Sequence, residues 1–127
     1  MPHITVECTA NLQPAQGWPT LFALVHAVLA DVGGIKRQNC KSRAVTRHEF
    51  FVGDGSTAAA FVHADVRFLE GRPVELKGEI GRRLLALLRD HFTAPPGVED
   101  FQLTVELRDI ERAMYFKIPE SSLQVTG

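Results

Sequence analysis

Two kinds of apolar periodicity alternate along this chain, and their order limits the folds open to it. Two segments repeat apolar residues at the spacing of a helix, one from Pro19 to Val32 and one opened by residues 71–73. Pro19 suits the first turn of a helix, and Gly33 with Gly34 is typical of a helix end. The apolar positions that carry the second helix are Ile80, Leu84, Leu87, Leu88 and Phe92.

Four other segments have the composition and the two-residue alternation typical of strands. They cover residues 3–8, 40–52, 59–69 and 101–107. A Gly-rich turn at 53–56 joins the second to the third, so these two are predicted to form a hairpin. The predicted order is therefore strand, helix, strand, strand, helix, strand.

This order predicts an α+β fold built from two consecutive β-α-β units that form one four-stranded sheet. Right-handed crossovers would place both helices on one face of the sheet. The other face then needs cover, which a homotrimer would supply. The 127 residues fit a single domain over 1–127, and its polar tail, 119–127, is expected to fray or to dock on a neighbour.

Charge and hydropathy exclude several classes of function. The net charge is −1, which gives no general attraction to nucleic acid or to an anionic membrane. No apolar stretch approaches the roughly 20 residues that span a bilayer, and the first residues lack the features of a signal peptide. Cys8 and Cys40 fit free thiols better than a disulfide scaffold. We therefore expect a cytoplasmic protein.

Pro2 is a candidate catalytic residue because of its position. A small second residue normally permits removal of Met1, which leaves Pro2 with a free secondary amine. Amino termini usually have a pKa of about 7.7–8.0, and burial or nearby cations lower it. A neutral amine near pH 7 can act as a general base. Proline at position two is also common in chains where it has no role.

The candidate binding residues are basic. Arg72 lies in the link between a strand and a helix, where a guanidinium could hold a carboxylate, although a solvated surface arginine fits the same pattern. The basic run from Lys36 to Arg47 includes Lys41 and Arg43, and it fits either an acidic ligand or the exposed face of a strand. The five histidines show no spacing typical of metal ligands, so no metal site is predicted.

Several short motifs, in order from the first residues to near the end of the chain, resemble the 5-carboxymethyl-2-hydroxymuconate isomerase family of the tautomerase superfamily. They are Met1-Pro2-His3, Val6-Glu7-Cys8, Ser42-Arg43, Ala60-Phe61-Val62-His63, Gly71-Arg72, His91-Phe92 and Phe116-Lys117. The resemblance implies a homotrimer, an amino-terminal proline as acid–base catalyst, and neither cofactor nor metal. It implies a dienol substrate with three carboxylates, from the breakdown of homoprotocatechuate.

The resemblance also assigns roles to individual residues. Pro2 matches the catalytic proline, and Arg72 matches an arginine that contacts a substrate carboxylate. Lys41 stands where the family has an arginine of similar role, and lysine keeps the charge but loses the planar fork. With Arg43 of the basic run, Arg72 and Lys41 form the predicted set that binds a polycarboxylate.

Two alternatives stay open at this point. Lys41 is compatible with a different tautomerase activity on another carboxylate-bearing enol. A chain that kept its initiator methionine would lack the base, and it would then be a non-catalytic trimeric binding module with the same fold.

Overall fold

The computed structural model of the chain describes residues 1–119 and contains four strands and two long helices. The tail predicted over 119–127 lies outside the described residues, apart from Pro119. In chain order the elements are β1 (His3–Thr9), α1 (Trp18–Asp31), β2 (Lys41–Arg47), β3 (Ala59–Leu69), α2 (Val74–His91) and β4 (Asp100–Ile110). Single 3-10 turns precede β2 at Arg37–Asn39 and follow β4 at Arg112–Met114.

The four strands form one mixed sheet in the order β2-β1-β3-β4. β2 lies parallel to β1 and β4 lies parallel to β3, which confirms the two β-α-β units. The antiparallel pairing of β1 with β3 joins the two units at the centre of the sheet.

The predicted hairpin between β2 and β3 is wrong, because β1 lies between them. The inward side chains of β1 are Ile4, Val6 and Cys8, and all three are fully buried. Such a strand belongs at the centre of a sheet, where a strand on each side completes its hydrogen bonds. Strand β2 is also shorter than predicted, since residues 48–58 form a loop that carries the chain across the end of the sheet.

Both helices pack on one face of the sheet, as predicted. The core combines the inward side chains of β1 with alternate residues of β3, from Ala60 to Phe68, and the apolar stripes of the two helices. The helix residues most deeply buried in it are Leu21, Val25, Leu29, Ile80, Leu84 and Leu88. No helix within residues 1–119 is both long enough and apolar enough to cross a membrane.

The opposite face of the sheet is polar and carries ion pairs between neighbouring strands. Arg47 of β2 binds Glu7 of β1 at 2.6 Å, and Arg108 of β4 lies 3.2 Å from Asp65 of β3. We call this surface the open face. The homotrimer expected to cover it stays a prediction.

Candidate active site

The start of the chain is buried at one end of the sheet, next to β2. Met1 is only 1% exposed and Pro2 is also buried. The Lys41 N–H donates to the Pro2 carbonyl at 3.1 Å, which continues the parallel ladder in which His3 is paired with Lys41. The β1–β2 pairing therefore brings a lysine beside the first residues, although the two segments are far apart in sequence.

The terminal amine at this position is a weak base for an amino terminus. In the structure it belongs to Met1, and its pKa is lowered from 8.0 to about 6. Burial is the largest cause, followed by the positive charge of Lys41, while Lys117 and Arg72 lower the pKa further and Cys40 raises it. Three cations from distant parts of the sequence thus act on one amine. With a pKa of about 6, this amine is mostly neutral at pH 7.

Arg72 is held by the backbone at the link between β3 and α2. Its Nε donates to the Gly33 carbonyl at 3.1 Å, and its Nη1 donates to the Leu69 carbonyl at 3.3 Å. The guanidinium also lies over the Phe68 ring, 5.2 Å from its centroid. These two hydrogen bonds use two of the five guanidinium N–H groups and hold the half-buried side chain in place. The other N–H groups could bind a carboxylate.

Arg43 is on the open face, one pleat further along β2 than Lys41. Its Nη2 donates to His3 Nδ1 at 3.0 Å, and the other ring nitrogen of His3, Nε2, is hydrogen-bonded to the Tyr115 hydroxyl at 2.8 Å. These three side chains line part of a cavity of about 640 Å³. Neither Pro2 nor Arg72 lines it. Lys41 is hydrogen-bonded through its backbone to Pro2, and Lys41 and Arg72 both lower the pKa of the terminal amine. Arg43 is bound to His3, the residue next to Pro2.

Sequence reasoning missed Lys117 and Tyr115 as members of this site. Both follow β4, and their proximity to the first residues depends on how the chain returns after that strand. A signal for Lys117 exists, since Phe116-Lys117 is one of the motifs that carry the family resemblance, but nothing in the sequence assigns it to the terminal amine. Among residues 1–119, no group of three or more His, Cys, Asp or Glu side chains is arranged to hold a metal ion.

The fold is that of the tautomerase superfamily, with solved structures of similar shape over most of the chain. A fused 4-OT wild-type symmetric trimer aligns with a TM-score of 0.70 at 19% identity, covering 92% of each chain. At that identity the likeness concerns the fold alone.

Closer relatives define the family. The family model for 5-carboxymethyl-2-hydroxymuconate isomerase matches residues 2–120. The 5-carboxymethyl-2-hydroxymuconate Delta-isomerase of Escherichia coli is 30% identical over 117 residues, 92% of this chain and 93% of that one. The crystal structure of a 5-carboxymethyl-2-hydroxymuconate isomerase from Deinococcus radiodurans aligns with a TM-score of 0.79 at 31% identity, covering 91% of this chain and 87% of that one. The chain belongs to the 5-carboxymethyl-2-hydroxymuconate isomerase family.

Proposed function

We propose that this protein isomerises 5-carboxymethyl-2-hydroxymuconate, a step of homoprotocatechuate breakdown, with the amine of Pro2 as the acid–base catalyst. The observation that carries the proposal is the buried terminal amine whose pKa is lowered to about 6 in the presence of Lys41, Lys117 and Arg72. Removal of Met1 transfers the amine to Pro2, one residue further along the same buried start of β1. The neutral secondary amine then has a lone pair with which to take a proton.

The reaction is a proton transfer along a conjugated chain. The Pro2 nitrogen takes the proton of the 2-hydroxyl group, and the oxygen's electron pair forms the carbonyl as the double bonds shift. A new C–H bond forms at the far carbon with the proton that the amine returns. One amine therefore serves as base and then as acid, and no redox step or cofactor is required.

The basic residues hold the substrate's carboxylates in this proposal. Arg72 presents donors from a guanidinium that the backbone already orients, which lowers the entropy lost on binding. Lys41 supplies a charge beside the amine and Arg43 supplies one on the open face. The same charges stabilise negative charge that develops on the enol oxygen. We further propose that the active form is a homotrimer, in which the open face is covered.

The direct test is to incubate the protein with the dienol and to follow the loss of its ultraviolet absorbance. An intact mass of the same sample establishes that Met1 is absent. We expect acceleration over buffer, and a strong loss of turnover in Pro2→Ala. No acceleration by a chain shown to lack Met1 would contradict the proposal, as would unchanged turnover in Pro2→Ala.

A second candidate function follows from Lys41. Because lysine cannot form the bidentate fork that arginine forms with a carboxylate, the pocket is compatible with another carboxylate-bearing enol. A panel that includes phenylpyruvate alongside the dienol separates the two activities by their kcat/KM values. A chain that binds these acids without turning any of them over would instead be a binding module.

A further inference from the structure

The segment that follows β4 is held to the rest of the molecule by side chains. Its 3-10 turn is closed by local backbone–backbone hydrogen bonds, from Met114 N–H to the Glu111 carbonyl and from Tyr115 N–H to the Arg112 carbonyl. Three hydrogen bonds that involve side chains attach it elsewhere, and one of them runs from the Arg112 Nη2 to the Glu70 carbonyl at 3.2 Å. The Arg112 N–H donates to Glu70 Oε2 at 2.8 Å, and the Tyr115 hydroxyl is bound to His3 at 2.8 Å.

The His3–Tyr115 bond has a defined direction. Arg43 is a donor only, so His3 Nδ1 must be the acceptor of their 3.0 Å bond. The proton of the neutral ring is therefore on Nε2, which donates to the Tyr115 hydroxyl oxygen. Burial and the neighbouring Arg43 and Lys41 lower the pKa of His3, which keeps the ring neutral and maintains this direction.

Side chains of residues 115–118 in this segment are alternately half-buried and exposed. Tyr115 is extended, with φ −114° and ψ 110°, and it is half-buried, as is Lys117. The residues between and beside them are exposed, Phe116 by 85% and Ile118 by 96%. Side chains two apart in an extended chain point the same way, and the burial pattern puts Lys117 on the same side as Tyr115, where its Nζ donates to the Pro119 carbonyl at 3.1 Å.

We propose that Tyr115 is a positioning residue of the active site, whose hydrogen bond to His3 holds Lys117 beside the terminal amine. Lys117 is one of the cations that lower the pKa of that amine, so release of the segment removes part of this effect. The proposal rests on the proposed function in assigning a catalytic use to the amine. The charged and titratable groups that act on the amine besides Lys117 are Lys41, Arg72 and Cys40, with His3 adjacent.

The test measures the pKa of the terminal amine without using turnover. The rate of acylation of the terminal amine by a small amine-reactive reagent is followed from pH 5 to 9, by mass of the first peptide. Lys117→Gln and Tyr115→Phe should each raise the amine pKa by about half a unit, the effect of one cation in a partly solvated site. Tyr115→Phe keeps the aromatic ring, which lies 6.0 Å from the His3 ring, so the packing is retained.

A double variant decides whether Tyr115 acts through Lys117. In the Lys117→Gln background, Tyr115→Phe should cause no further rise of the amine pKa, because residues that act through one contact are not additive. Met114→Leu, in the same segment and 66% exposed, is the matched control and should leave the pKa unchanged. Additive shifts, or a shift in Lys117→Gln alone, would overturn the positioning role.

The outcome is separable from that of the proposed function. A wild-type protein with a low amine pKa but no turnover of the dienol refutes the proposed substrate, while the acylation measurements still decide the role of Tyr115. Where the dienol is turned over, the acid limb of the kcat/KM profile should move to higher pH in Tyr115→Phe by the same amount as the amine pKa.

Discussion

The strongest test of whether Lys41 lowers the pKa of the terminal amine is to measure kcat/KM of Lys41→Gln as a function of pH. With the pKa of the Met1 amine at about 6 in place of 8.0, its neutral fraction at pH 7 rises from roughly 0.09 to roughly 0.9, and we expect the Pro2 amine at the same buried start of the chain to be shifted in the same direction. Lys41 is the largest electrostatic cause of that shift after burial. Because its side chain is exposed, solvent screens the charge, and we expect its removal to raise the pKa by about 0.7 of a unit.

This shift has a pH-dependent signature. At pH 6 the neutral fraction falls from roughly 0.5 to roughly 0.17, a threefold loss, whereas at pH 8 it changes from roughly 0.99 to roughly 0.95. Any contribution of Lys41 to carboxylate binding lowers kcat/KM at both pH values. The measurement is therefore the ratio of kcat/KM at pH 6 to that at pH 8, which should fall about threefold in Lys41→Gln.

Lys36→Gln is the matched control for this prediction. Lys36 belongs to the same basic run and is exposed, and it is not among the cations that lower the amine pKa. Its removal changes the net charge equally and should leave the ratio unchanged. An equal loss at pH 6 and pH 8 in Lys41→Gln, or an acid limb near pH 8 in the wild type, would refute the claim that Lys41 tunes the base.

Three further predictions concern binding and stability. Arg72→Lys should raise KM for the dienol about tenfold, because lysine cannot keep both backbone hydrogen bonds and still present a planar fork; an unchanged KM would remove Arg72 from carboxylate binding. Lys41→Arg should raise kcat/KM on the dienol, and a loss would show that the pocket is adapted to another ligand. The free energy of unfolding should rise from pH 6 to pH 8 by about 1 kcal/mol after solvent screening, because the amine binds more protons in the unfolded chain than in the folded one over this pH range. The lowered pKa values of His3 and His26 act in the same direction. Urea titrations at several pH values measure this free energy, and a flat or falling profile would contradict the prediction.

The parts of the fold that sequence predicts are those that depend on local periodicity. Both helices and the inward and outward sides of β3 follow from spacing alone, since burial alternates along Ala60–Phe68 as the pattern requires. The order of strands depends on which strand is most buried, and that is a property of the whole sheet. Phe51 illustrates the limit, because it extends the apparent strand of 40–52 yet is 78% exposed in a loop.

The candidate site likewise combines residues that have a local sequence signal with residues that have none. Pro2 and Arg72 are predicted from their local context, a chain start and a strand-to-helix link. Tyr115 contacts His3 across 112 residues of sequence, and no local pattern encodes that contact. Lys117 acts on the terminal amine because the segment after β4 passes close to the first residues. Sequence therefore indicates the proposed catalytic and binding groups more readily than the residues after β4 that act on them.

In the proposed reaction, the cations around the terminal amine have two effects that oppose each other. In the free protein burial is the main cause of the lowered amine pKa, and Lys41, Lys117 and Arg72 lower it further. In the proposed function a bound polycarboxylate would neutralise these charges, and we expect the amine pKa to rise towards its ordinary value once the substrate is in place. The proposed base would thus be deprotonated before binding and would become a stronger proton acceptor after it. Because kcat/KM reports the free protein and kcat the complex, the acid limb of kcat should lie at higher pH than that of kcat/KM, and coincident limbs would show that substrate and amine do not share the cations.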